Sequence, residues 1–238
     1  MSKICVAICN YNHERFLDKS IRSILTQDYQ DLDVVVVDDS SKNQKQVYEI
    51  VEEINDQRIR FIPLTTNLGK WNALNIAFST TSADACTSHD ADDVSLSWRL
   101  SHQLLIMQET KSIHNLCGFV HCWNENDINN GDKLVKPKSI KFISNDSVFE
   151  MVSQGFKTPG INHYFTGEFE TAGVSSMFLR RVWDMGIRFN PPNLGLRIRH
   201  SEDSDFNTRL TLTLNSTTVL AETPYLYRRN TSTNSEKR

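Results

Sequence analysis

An α/β fold on a doubly wound, mainly parallel sheet is what this sequence predicts, and three observations carry the expectation. Short apolar runs alternate with amphipathic helical segments through the first hundred residues. One of those runs, Val34-Val35-Val36-Val37, lacks polar alternation, as suits a strand covered on both faces. Polar clusters close several of the predicted strands, at the end where open parallel sheets bind ligands.

The elements follow in order. Lys3–Cys9 reads as a buried strand, and a helix from about His13 to Gln27 places Phe16, Leu17, Ile21, Ile24 and Leu25 on one side. Asp33–Val37 is the second strand. A helix through Val47, Ile50, Val51 and Ile54 leads to a third strand, Ile59–Leu64. Another helix, Trp71–Ser79, precedes an apolar segment that ends in His89-Asp90-Ala91-Asp92-Asp93. After a helix near Trp98–Glu109 the pattern loosens. Strands are expected at Leu116–Trp123 and Ser175–Leu179, with Asn124–Lys138 and Gly155–Thr171 as loops. A helix around Ser204–Leu212, a short strand at Val219–Ala221 and a polar tail from Thr231 complete the chain. Residues 1–110 and 111–238 form the two halves of one continuous domain in this reading.

Composition narrows the class. A chain of 238 residues with 39% hydrophobic and 23% charged residues matches an ordinary globular protein with a sizeable core. No apolar run is long enough to span a bilayer. Met1-Ser2-Lys3 leads directly into a strand, which predicts no export signal and hence a cytoplasmic location. Five scattered cysteines fit reduced thiols. The net charge of −3 divides into −6 for residues 1–110 (ten Lys/Arg, sixteen Asp/Glu) and +3 for the remainder (sixteen, thirteen). Arg180, Arg181, Arg188, Arg197 and Arg199 crowd the second half, as a solvated face or as a surface for an anionic partner.

Three carboxylates within four residues repel one another, and a bound cation relieves the repulsion. Mg²⁺ or Mn²⁺ takes one or two carboxylates and fills its remaining positions with water and substrate phosphates. In an extended segment Asp90 and Asp92 would share a face, with Asp93 pointing elsewhere. Three further clusters converge on the same predicted edge: Cys9-Asn10-Tyr11-Asn12, Asp38-Asp39-Ser40-Ser41 and Asn67-Leu68-Gly69-Lys70. Neither G-x-G-x-x-G after the first strand nor G-x-x-x-x-G-K-[ST] occurs, which argues against a dinucleotide dehydrogenase and a P-loop NTPase. His114, Cys117, His121 and Cys122 lie close in sequence, but their spacing matches no common zinc pattern. Trp98, Trp123 and Trp183 are expected to pack in or against the core.

Taken in order, these motifs resemble the family 2 glycosyltransferases of the GT-A fold. Ile8-Cys9-Asn10-Tyr11-Asn12, Val37-Asp38-Asp39-Ser40-Ser41, Asn67-Leu68-Gly69 with Ala73 and Asn75, and Asp90-Ala91-Asp92-Asp93 carry the likeness. Arg99-Leu100 with Gln103, Gly186-Ile187-Arg188-Phe189 and Ser201-Glu202-Asp203-Ser204-Asp205 with Arg209-Leu210 extend it. The resemblance implies a nucleotide-sugar-binding first half and an acceptor-binding second half. It implies a nucleotide-diphosphate sugar donor, UDP-linked, with Mn²⁺ or Mg²⁺. Asp39 would accept from the base. The backbone of Cys9 and Asn10, with Asn12, Asn67 and Gly69, would line the nucleotide. Asp90 would reach the ribose or the metal, and Asp92 would ligate the metal. Lys70 either adds charge near the phosphates or is an exposed loop lysine.

Asp203 would act as the base on an acceptor hydroxyl, with Glu202 in support, although acidic residues after Ser201 equally suit a helix N-terminus. One base and no protein nucleophile imply inversion of anomeric configuration. Where relatives carry Tyr-Arg-x-His-x-x-Ser, this chain reads Tyr227-Arg228-Arg229-Asn230-Thr231-Ser232, so Arg228 or Arg229 would clamp the diphosphate without the His. His163-Tyr164-Phe165 is the expected acceptor contact. The acceptor is open between a saccharide or lipid-linked envelope glycan and a hydroxymethylated base in double-stranded phage DNA. Two other classes stand beside this one: phosphoryl transfer of the haloacid dehalogenase kind, which lacks its first-strand Asp here, and a catalytically silent binding module.

Overall fold

A computed structural model describes residues 2–133, 141–143, 171–191, 202–214 and 216–228. In chain order the elements are β1 (Ile4–Asn10), α1 (Glu14–Leu25), β2 (Leu32–Asp38), α2 (Gln44–Ile54), β3 (Ile59–Pro63), α3 (Lys70–Ser79), β4 (Ala85–Asp90) and β5 (Val94–Ser95). They continue as α4 (Arg99–Thr110), β6 (His114–Cys122), α5 (Glu125–Asn129), a 3-10 turn at Gly131–Lys133, β7 (Lys141–Ile143), β8 (Thr171–Leu179), α6 (Arg180–Asp184), α7 (Glu202–Leu214) and β9 (Thr217–Arg228). The strands form one sheet in the order β3-β2-β1-β4-β8-β6-β9-β5, with β7 against β9. The pairs β1–β2, β1–β4 and β2–β3 are parallel, whereas β8 runs antiparallel to both β4 and β6. The sheet crosses residue 110 without interruption, and β9 from the second half pairs with β5 from the first.

Helices cover both faces, for a reason visible in the valine run. Val34 and Val36 pack with Leu17, Ile21, Val47 and Leu104, so α1, α2 and α4 lie on one side. Val35 and Val37 pack with Leu74, Phe78, Trp183 and Phe206, which places α3, α6 and α7 on the other. The period-2 alternation of a strand thus assigns four consecutive valines to two separate cores.

The second half departs from expectation in three places. Asn124–Lys138 contains α5 and the 3-10 turn; Asn124 caps α5 by accepting from the Asp127 N–H at 3.0 Å. The strand expected at Val219–Ala221 extends over twelve residues. Pro224 hides it in the sequence, because Pro interrupts a ladder. Here it falls where the β6–β9 register shifts, between the pairs Cys117↔Leu220 and Phe119↔Tyr225. Trp183 is buried and Trp98 half-buried, but Trp123 is 58% exposed, contrary to a packing role. It sits one residue beyond the end of β6, and its N–H donates to Asp127 of α5 at 2.7 Å.

Two buried histidines give the fold a pH dependence. His114 lies between Thr217 Oγ1 (3.0 Å) and Asn207 Oδ1 (3.1 Å), tying β6 to β9 and α7. Burial depresses its pKa to about 4, against the opposing hydrogen bond to Asn207. His89 is held well below its ordinary value by burial and by the Arg99 charge. Below about pH 6.5 the unfolded chain protonates both rings while the folded chain does not. The unfolded state then binds more protons, so stability falls as pH drops from about 6.5 towards 4, by about 1.4 kcal/mol per unit per ring. His114→Gln is expected to flatten this slope by about one proton, read by thermal unfolding at pH 6.5 and 4.5. An unchanged slope would contradict the assignment.

Candidate active site

The chain leaves β1 towards β2 on one side and returns with β4 on the other, so the sheet switches direction at β1. Register puts the polar ends side by side: Asn10 opposite Asp38, and Cys9 opposite Asp90. Ligand chemistry is expected in the crevice such an edge creates.

Buried polar groups organise its loops. Asp38, fully buried, accepts from Asn10 Nδ2 (2.7 Å), Ser41 Oγ (2.6 Å), the Ser41 N–H (3.1 Å) and Gln44 Nε2 (2.9 Å). Asn12 and Ser40 adopt left-handed backbone conformations, φ 59° and 65°. The Asn12 N–H donates to Ser41 Oγ (2.8 Å) and its Oδ1 accepts from the Lys42 N–H (2.8 Å). The Asn10 side chain and the Asn12 N–H and Oδ1 therefore join the loops after β1 and β2. The Asn10 carbonyl likewise accepts from the Asp39 N–H at 2.8 Å.

Asp39 fixes the third loop. Its carboxylate accepts from the Leu68 N–H (2.8 Å) and the Gly69 N–H (2.9 Å). Burial raises its pKa against these two bonds. Gly69 caps α3 at φ 88°, a backbone that disfavours any side chain, and an added Cβ would lie 3.0 Å from Trp71 Nε1. Asn67 is exposed beside it, and Tyr11 exposes 42% of its surface at the neighbouring loop.

The acidic cluster is a turn, which corrects the expected alternation. The Asp93 N–H donates to the Asp90 carbonyl at 3.2 Å, so Asp90, Asp92 and Asp93 converge instead of alternating. One carboxylate oxygen from each lies within 4.8 Å of the others. Asp93 is buried, whereas Asp90 and Asp92 are half-buried and open towards the crevice. Asp92 Oδ2 meets His13 Nδ1 at 3.4 Å. Asp90 Oδ1 meets Lys70 Nζ at 2.6 Å, and Lys70 also reaches Glu202 Oε1 at 3.4 Å. Lys70 is thus no loop lysine. It is the first residue of α3, a half-buried cation between two carboxylates from β4 and α7. Burial opposes its charge, but Asp90, Glu202 and Asp203 together raise its pKa well above the ordinary value.

α7 starts at Glu202 and carries Glu202, Asp203 and Asp205 in its first turn. Asp205 is committed elsewhere, to Arg209 at 2.7 Å. Glu202 has its pKa raised, first by burial, with Lys70 opposing and Asp203 and Asp90 adding. The Cys9 thiol, on the α3 face of β1, is pushed far above its usual range by burial, Lys70 alone opposing strongly. It therefore offers no thiolate nucleophile.

Carboxylates Asp90, Asp92, Glu202 and Asp203 outnumber Lys70 and His13, and a divalent cation fits the excess. Asp90 and Asp92 would hold it. Two helix N-termini, of α3 and α7, also converge here, the arrangement that favours phosphate groups. The Arg228 side chain, Arg229 and His163-Tyr164-Phe165 lie outside the described residues.

Several contributors were missed. Asp38 was noted only as part of its polar cluster, and its internal role as acceptor for Asn10, Ser41 and Gln44 went unassigned. His13, directly after Asn12, was legible only as a helix start. Ser20 and Tyr225 carry no local signal, since their partner Asp90 is 70 and 135 residues away.

Comparison with known proteins places this geometry. The profile of glycosyl transferase family 2 matches residues 5–184. An uncharacterised glycosyltransferase of Methanocaldococcus jannaschii is 34% identical over 142 residues, 58% of this chain and 48% of that protein. The GalNAc(5)-diNAcBac-PP-undecaprenol β-1,3-glucosyltransferase of Campylobacter jejuni is 29% identical over 170 residues, 71% of this chain and 50% of that one. The chain thus spans about half the length, or less, of the curated relatives it matches. The crystal structure of Staphylococcus aureus TarS 1–349 in complex with UDP superposes with a TM-score of 0.68 at 21% identity, over 95% of this chain and 60% of that one. That likeness bears out the GT-A α/β fold. With the family profile covering most of the sequence, the chain belongs to glycosyl transferase family 2.

Proposed function

We propose that this glycosyltransferase moves a sugar from a UDP-sugar to a hydroxyl of a saccharide or lipid-linked glycan, with inversion and with a divalent cation. The observation that carries the reading is the Asp90–Lys70–Glu202 bridge, which joins the end of β4 to the head of α7. Donor-side and base-side carboxylates share one crevice. Asp90 and Asp92 would hold Mn²⁺ or Mg²⁺, which supplies Lewis acidity to a leaving diphosphate. Asp39 orders the Leu68–Gly69 loop beside the base site, and exposed Tyr11 offers an aromatic face there.

Asp203 is the base. It stands in the first turn of α7 next to Glu202, which pairs with Lys70 on the donor side, and its carboxylate would take the acceptor proton. With Asp203 as base, the acceptor oxygen would displace the diphosphate directly at the anomeric carbon, which inverts its configuration. Lys70, which pairs with Asp90 and Glu202, would balance charge on the diphosphate. Lys70→Met is expected to raise the KM for donor about 10–100-fold, the value of a charge-assisted contact. Steady-state kinetics measure it, and an unchanged KM would refute the role.

A glycan acceptor is favoured over DNA because two arginines of the basic stretch, Arg180 and Arg188, make their contacts within the fold. Arg180 donates to the Phe78 and Thr81 carbonyls, and Arg188 stacks on Trp183 at 3.8 Å. The test is a screen of UDP- and GDP-sugars with Mn²⁺, followed by transfer to saccharide, lipid-linked and hydroxymethylated DNA acceptors at low and high salt. Transfer to a glycan at a salt-independent rate supports the reading. Transfer to DNA alone, falling steeply with salt, would replace it.

A further inference from the structure

We infer that Tyr225 and Ser20 are positioning residues that hold Asp90 in place, and that Asp93 serves as the anchor of Tyr225 and not as a metal ligand. The inference rests on the proposed cation site and adds how the chain builds it. Asp90 must aim one carboxylate into a solvent-facing crevice from the last residue of a strand, where the backbone is free to swing. Here both of its backbone polar groups are fixed from elsewhere. Its N–H donates to the Tyr225 hydroxyl (3.2 Å), and its carbonyl accepts from Ser20 Oγ (2.9 Å) as well as from the Asp93 N–H. Tyr225 comes from β9 and Ser20 from α1, so the loop is gripped by two elements.

Tyr225 is itself fixed. It is fully buried, its ring meets His89 edge-on at 5.2 Å, and the Arg99 guanidinium lies 5.6 Å from its centroid. Its hydroxyl, having accepted from Asp90, donates onward to the Asp93 side chain. Asp93 is 1% exposed, in contrast to half-buried Asp90 and Asp92. Asp93 is set apart from the other two by its burial and by the hydrogen bond from the Tyr225 hydroxyl. The pairing of β5 with β9, Ser95 opposite Tyr225, closes the turn directly after Asp93 and keeps that phenol in register.

The test is Mn²⁺ affinity in the presence of UDP, followed by the paramagnetic signal of free Mn²⁺, with thermal unfolding in parallel. Wild type must bind first, because absence of binding would refute the cation site itself. Given binding, Tyr225→Phe is expected to weaken Mn²⁺ about tenfold, about 1.4 kcal/mol. Ser20→Ala should weaken it by a smaller factor in a protein that keeps its cooperative melt. Asp93→Asn, which retains an acceptor for the Tyr225 hydroxyl, should stay within about threefold of wild type, whereas Asp92→Asn loses binding. If Asp93→Asn falls as far as Asp92→Asn, Asp93 is a ligand and the inference fails. It also fails if Tyr225→Phe and Ser20→Ala both keep wild-type affinity.

Discussion

Asp203→Asn is expected to lower kcat by about 10²–10⁴-fold, the range of a lost general base, while leaving donor binding intact. The asparagine keeps the volume and an acceptor oxygen but cannot take the proton from the acceptor hydroxyl. Because Asp203 lies in the first turn of α7, losing its charge costs only about 0.3–1 kcal/mol of helix-dipole energy, so the fold survives. Glu202→Gln should behave differently. Glu202 faces Lys70 at 3.4 Å, and its loss should raise the donor KM more than it lowers kcat. The pair of variants decides between the two carboxylates: a kcat collapse in Glu202→Gln with a near-normal Asp203→Asn would reverse the assignment. The raised pKa of Glu202, set by burial before its charged neighbours, makes that comparison necessary.

Asp92→Asn is the second large effect. Asp92 is half-buried and its Oδ2 meets His13 Nδ1 at 3.4 Å. Removing its charge should cost several kcal/mol of transition-state stabilisation, about 10³-fold in kcat/KM, with loss of Mn²⁺ binding. Excess Mn²⁺ should restore part of the activity if Asp90 remains in place. Metal-independent activity equal to wild type would contradict the cation site.

Much of this was legible in the sequence where function and folding use the same local signals. The valine run reported a two-faced strand, and the polar clusters at the strand ends reported the crevice. What escaped detection depended on distance or on turns. Asp93 was assigned by strand alternation, but the 90–93 segment is a turn, so its carboxylate converges with the others and then buries. Lys70 read equally well as a loop lysine because nothing local reveals Glu202, 132 residues later in the sequence, as its partner. The bonds by which Asn10 and Asn12 tie the loops after β1 and β2 together were not legible, because a polar loop at a sheet edge has the same composition with or without them. The expected strand stopped at Ala221, short of Pro224, and only the partner strand reveals the irregular register that lets β9 run on through the proline to Arg228.

The central claim, that this sheet edge is a cation-assisted nucleotide-diphosphate site, is tested most directly by calorimetric titration of UDP with Mn²⁺ and then with EDTA. Tight binding with Mn²⁺ that weakens by about tenfold or more in EDTA, and is lost in Asp92→Asn, is the predicted result. Equal affinity in both conditions, unaffected by Asp92→Asn, would contradict it.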